Sequence, residues 1–197
     1  MQPQPEADVR LHHVPDYYLA KIGQKLNVHF TIEYLAGSDT FGRTDEALDL
    51  DLATVEELID ELEKKMPDIR VVLDRSDKDF PVLHLIDKQL GKKSEVLDRK
   101  IDLKYSGSVG ELYKKLATKI SEIDPRLSGW SWEAFNDYRT NVDIDVKQTP
   151  IRAILTHCVD LEEYRPLIWT AKTRQTDGEW KTQIRFTGPK PIGPAAP

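Results

Sequence analysis

The chain has 197 residues, of which 39% are hydrophobic and 31% charged, with a net charge of −6. That length leaves room for two domains of about ninety residues, each small for an independent fold. The acidic balance and the lack of a long basic run argue against nucleic acid as the main partner, and no window approaches the roughly eighteen apolar residues of a membrane-spanning helix.

In the first half, Val9 to His13 reads as a short strand, and Pro15 opens a helix with Tyr18, Leu19, Ile22 and Leu26 at helical spacing. Val28 to Tyr34 is apolar at every second position, the mark of a strand with one buried face. After the loop Gly37 to Thr44, the segment Leu48 to Leu52 alternates again. Thr54 with Glu57 forms a predicted capping box, ahead of a helix bearing Val55, Leu58, Ile59, Leu62 and Met66 on one face. Ile69 to Leu73 and Val82 to Ile86 then pair as a hairpin around Ser76 to Asp79.

The same order returns in the second half. Ile101, Leu103 and Tyr105 alternate in a strand, and Ser108 caps a helix carrying Val109, Leu112, Tyr113, Leu116 and Ile120. An aromatic-rich segment, Leu127 to Tyr138, occupies the place of the return strand. Val142 to Val146 repeats the alternation of Leu48 to Leu52, and Thr149 with Pro150 is expected to start a helix with Ile151, Ile154, Leu155, Cys158 and Val159 inward. Leu167 to Thr173 and Trp180 to Phe186 close a hairpin over Thr176-Asp177-Gly178.

The predicted class is therefore α+β, with two tandem helix-on-sheet units, each β-α-β-β-α-β-β. The expected divisions are a flexible tail over 1–8, a first unit over 9–87, a charged linker over 88–100, a second unit with its aromatic insert over 101–187, and a Pro-rich tail over 188–197. A single intertwined domain is the alternative. The lone cysteine gives no disulfide framework and is expected to be a reduced, buried thiol. Met1 is followed by polar residues and proline, so the expected compartment is cytoplasmic, or periplasmic or secreted if a signal sequence precedes Met1.

These residues carry a resemblance. The strand ending at His13, the helix Pro15 to Leu26, the strand Val28 to Tyr34, Leu48 to Leu52 followed by Thr54-Val55-Glu56-Glu57-Leu58, and the closing hairpin resemble the secretin and TonB N-terminal domain. The second half resembles it more loosely through Val142 to Val146, Thr149 to Val159 and the final hairpin. Its aromatic insert departs from the pattern, and no secretin pore or receptor barrel follows within these residues. The resemblance implies a non-catalytic, periplasmic module that contacts a protein partner of the cell envelope, often by sheet edges. It implies no cofactor.

Candidate chemistry is sparse. His12 and His13 are adjacent and face opposite sides of a strand, His29 and His84 sit inside strands, and no His pair has the helical spacing of a metal site, so no metal is expected. Adjacent His157 and Cys158 point about 100° apart on a helix, which argues against a nucleophilic pair. Asp49 with Asp51, and Asp143 with Asp145, each share the solvated face of a strand, without the loop of a calcium site. The loop Gly37 to Thr44 lacks the lysine and following helix of a phosphate loop. Trp130, Trp132, Phe135 and Tyr138 are the candidate partner-binding residues, because flat rings supply contact area at low entropic cost; core packing is their other use. Two rival readings follow: a small hydrolase or carbohydrate-binding protein using the Trp130 region with Asp143 or Asp145, and a cytoplasmic structural subunit.

Overall fold

The structure is a computed structural model that describes residues 8–10, 16–38, 40, 47–49, 52–75, 81–131, 141–160 and 168–187. Strand β1 (Asp8–Arg10), helix α1 (Asp16–Leu26), strands β2 (His29–Leu35) and β3 (Ala47–Asp49), helix α2 (Val55–Lys65) and strands β4 (Ile69–Asp74) and β5 (Val82–Asp87) form the first half. Strand β6 (Lys100–Ser108), helix α3 (Val109–Ile123), strands β7 (Leu127–Ser131) and β8 (Asn141–Pro150), helix α4 (Ile151–Asp160) and strands β9 (Ile168–Thr176) and β10 (Glu179–Thr187) form the second. The fold is α+β with a mixed sheet.

Local chemistry sets the element boundaries. At α2 the Thr54 hydroxyl accepts from the Glu57 amide at 3.1 Å while the Glu57 carboxylate reaches back to the Thr54 amide, a complete capping box. Ser108 caps α3 on one side only, its hydroxyl accepting from the Glu111 amide at 3.4 Å. Asp177 and Gly178, with φ of 53° and 82°, provide the left-handed pair that a two-residue hairpin turn requires between β9 and β10. The start of α4 differs from expectation. Pro150 belongs to β8, and the Thr149 hydroxyl donates to the Lys147 carbonyl at 3.1 Å in place of capping. The first free amide of α4, Ile151, is satisfied by the Arg99 carbonyl at 2.9 Å.

Pairing in the second half repeats that in the first. β1 and β3 form an antiparallel ribbon, as do β6 and β8. β2 lies parallel to β5, which is antiparallel to β4; β7 lies parallel to β10, which is antiparallel to β9. The two three-stranded groups merge into one six-stranded sheet of order β4-β5-β2-β9-β10-β7, because β2 and β9 pair in parallel, Thr31 to Leu35 against Trp169 to Thr173.

Two hydrophobic cores result. One joins Leu19 and Ile22 of α1, Leu58 and Leu62 of α2, Phe30 and Ile32 of β2, and Leu83 and Leu85 of β5. The other joins Leu112, Tyr113, Leu116 and Ile120 of α3, Ile151, Ile154, Leu155 and Cys158 of α4, and Trp169, Ala171 and Ile184 of the sheet. Trp169 stands beside Thr31, and Thr170 beside Ile32. Side chains of paired residues share a face, so the two cores lie on opposite faces of the sheet. Segment 88–100 is built from two 3-10 turns, Lys88–Leu90 and Glu95–Asp98, and buries Leu90, Val96 and Leu97 while its charges face outward. Residues 1–7 and 188–197, within the expected tails, and Ser76 to Asp79 of the expected hairpin turn lie outside the described residues.

Candidate functional site: a polar seam and two sheet edges

The seam between β2 and β9 holds the most unusual chemistry. Alternation places Phe30 and Ile32 toward the first core, leaving Thr31 and Glu33 for the other face. That face is not solvated: Glu33 is 0% exposed and Thr31 1%. Helix α4 extends over it, and Arg152 grips Glu33 through Nε to Oε1 at 2.6 Å and Nη2 to Oε2 at 3.0 Å. The Arg152 Nη1 also donates to Asp98 of the second 3-10 turn. Burial opposes the Arg152 charge, but its hydrogen bonds to Glu33 and the charges of Glu33 and Asp98 outweigh it and hold the pKa above its ordinary value.

Beside this pair, the Thr31 Oγ1 and His84 Nδ1 are 2.7 Å apart, and His84 Nε2 is 3.9 Å from Asp74 Oδ2. A hydroxyl, an imidazole and a carboxylate in line resemble a nucleophilic relay. Access decides against it, because His84 is only 8% exposed and Thr31 1%. Burial lowers the His84 pKa, with Glu33 and Asp74 pulling only partly the other way, so the ring is neutral at pH 7. A neutral ring hydrogen-bonded to a buried threonine is packing chemistry. Sequence alternation missed this seam, since the partner that covers Glu33 lies 119 residues away.

The edges of the sheet are the second feature. Among the described residues β4 and β7 each pair on one side only. Val72 of β4 is 38% exposed, the exposed large hydrophobic among the described side chains. Next to β7, the outward face of β9 and β10 carries Lys172, Arg174, Lys181 and Arg185, with Lys181 opposite Arg174 across the hairpin and Arg185 opposite Ser131 of β7. An acidic chain has gathered four cations on one face.

The residues singled out from sequence distribute as follows. The backbone of Trp130 lies in β7, opposite Ile184, whereas Trp132, Phe135 and Tyr138 lie outside the described residues. Asp143 and Asp145 are exposed on β8, and Asp145 pairs with Lys104 at 3.1 Å. Cys158 is fully buried, and burial pushes its thiol pKa up to about 12. Among the described residues no three His, Cys, Asp or Glu side chains converge as a metal site, and no helix is long and apolar enough to cross a membrane. The chain matches no protein-family model, no curated protein and no solved structure.

Proposed function

We propose that the chain is a non-catalytic protein-contact module of the cell envelope, built from two secretin-N-like units that offer sheet edges to a partner. The observation that carries this reading is the repeated pairing order. Each half sets an antiparallel two-stranded ribbon and two helices against a three-stranded mixed sheet. Fusion through β2 and β9 uses one edge from each half and leaves β4 and β7 at the rims. Rows of main-chain N–H and C=O groups at such rims accept an added strand, the physics of β-augmentation. The Thr31–His84–Asp74 array gives no support to a hydrolase, because it is closed to substrate.

The test is capture from an envelope extract by the intact chain and by Val72→Asp, which sets a charge on the exposed face of β4. A specific protein retained by the parent and lost from the folded variant supports the reading. Capture indifferent to this change and to Ser131→Asp on β7, or no capture at all, removes an envelope protein as the partner of the sheet edges.

A further inference from the structure

We propose that the edges are matched to a second copy of this chain, joined head to tail, with β4 of the incoming copy lying parallel to β7. This rests on the reading above that the edges are contact surfaces. Within one chain, β9 lies beside β2; β4 is to the first half what β9 is to the second, and β7 is to the second what β2 is to the first. An incoming β4 beside β7 therefore repeats a joint the molecule already contains. The internal joint spans five residue pairs; β7 has five residues and β4 six, so the edges are long enough to repeat it.

The charges fit the same geometry. At the internal joint, the second residue of α4, Arg152, reaches across the seam to the outward face of β2 at Glu33. The equivalent residue of α2, again the second in its helix, is Glu56. It is followed by exposed Glu57, Asp60 and Glu63. The position equivalent to Glu33 is Ser131 of β7; one strand further, on the outward face of β10, Arg185 stands beside it as Ile86 stands beside Glu33, with Lys181, Lys172 and Arg174 behind. The internal joint sets a helix cation on a sheet anion; the external one sets a helix anion on sheet cations. In the free chain Glu56 is held by Arg75, a largely exposed pair that is readily exchanged. Joining two β4 edges about a two-fold axis would instead bring the acidic α2 helices together. The head-to-tail joint is heterologous, so copies add as an open row or a ring.

Sedimentation velocity on the full chain, from about 1 μM to about 1 mM, reads the association. Glu56→Arg and Arg185→Glu alter exposed side chains and are expected to leave the circular dichroism spectrum unchanged. Each alone sets like charges at the joint and should weaken association by about tenfold or more. An equimolar mixture of the two should restore it, since each head then meets a tail of opposite charge. The neutral changes Glu56→Gln and Arg185→Gln give a smaller loss and serve if a reversal disturbs folding. A parent that stays monomeric throughout overturns the proposal, as does association that ignores both reversals or is not rescued by mixing. A monomeric parent that still captures an envelope protein through its edges sinks self-assembly alone; a monomer that captures nothing sinks the contact reading too.

Discussion

Replacing Arg152 with methionine removes the arginine that grips Glu33 while keeping an apolar stem of similar length. Glu33 then stays buried beneath α4 at 0% exposure with its charge uncompensated. Breaking a buried ion pair from one side costs about 3–5 kcal/mol. With a urea dependence near 2 kcal/mol per molar, the unfolding midpoint should fall by roughly 2 M. Arg152 also holds Asp98, but that carboxylate is mostly exposed and its loss adds about 1 kcal/mol at most. The double variant Glu33→Met, Arg152→Met leaves no charge to strand, and its stability should return to within about 1 kcal/mol of the parent. The coupling in the double-mutant cycle is therefore at least about 2–4 kcal/mol, with the cost of Glu33→Met alone adding to it. If Arg152→Met costs less than about 1 kcal/mol, or if the double variant costs the sum of the singles, the pair is a surface contact and the seam is not what fixes α4 over β2.

Three other outcomes follow from the same structure. Cys158, buried and with its thiol pKa pushed up to about 12, should resist thiol reagents in the native state and react promptly after unfolding; fast native labelling would show that α4 opens readily. Gly23 should not tolerate alanine, because a Cβ there would sit 2.3 Å from the Val28 carbonyl oxygen and 3.2 Å from the Phe30 ring; Gly23→Ala should destabilise by about 1–3 kcal/mol in a denaturant titration despite alanine's better helix propensity, and a gain would mean α1 can move off β2. Burial lowers His29 to about 4 and lowers His84 as well, so the unfolded chain binds more protons below the ordinary histidine value; stability is full above about pH 6.5 and declines as pH falls toward 4. Asp124, held low by its hydrogen bonds to Arg126 and the charge of Arg99, adds a separate loss only below the ordinary carboxylate range. A denaturation midpoint unchanged between pH 7 and about 4.5 would refute the histidine assignment.

Much of the local structure was legible because its causes are local. The Thr54–Glu57 box, the Ser108 cap and the Asp177–Gly178 turn each depend on side chains or dihedrals within four residues. The strands and helices followed from their apolar periods, and both halves carried the same order. Alternation in Val28 to Tyr34 correctly located Phe30 and Ile32 in a core, yet it also implied that Thr31 and Glu33 were solvated. A polar face met by the arginine of a distant helix looks like a wet face in a single sequence. Segment 88–100 misleads similarly: its lysines and acids dominate the reading, while Leu90, Val96 and Leu97 enter the interior. Thr149 and Pro150 matched a helix-start signal, but the backbone stays in β8 through Pro150 because β6 pairs with it as far as Lys100.

The seam explains how two similar halves settle on one joint. Backbone pairing between parallel strands does not by itself choose a register, and a slip of one residue would turn every side chain of β9 to the opposite face. Such a slip would move Trp169 and Ala171 out of the core under α3 and α4 and bring the Thr170 and Lys172 positions into it. It would also carry Arg152 away from Glu33, leaving a carboxylate sealed without its cation. Apolar packing and the ion pair therefore penalise the same error, one on each side of the β2–β9 boundary. The rims lack that double constraint. β4 carries Arg70, Val72 and Asp74 outward, and β7 lies beside β10, whose outward face carries Lys181 and Arg185. Charge at an exposed rim resists indiscriminate strand addition and selects by complementarity; on the head-to-tail proposal a strand added at β7 brings an acidic surface beside it, and one added at β4 a basic surface.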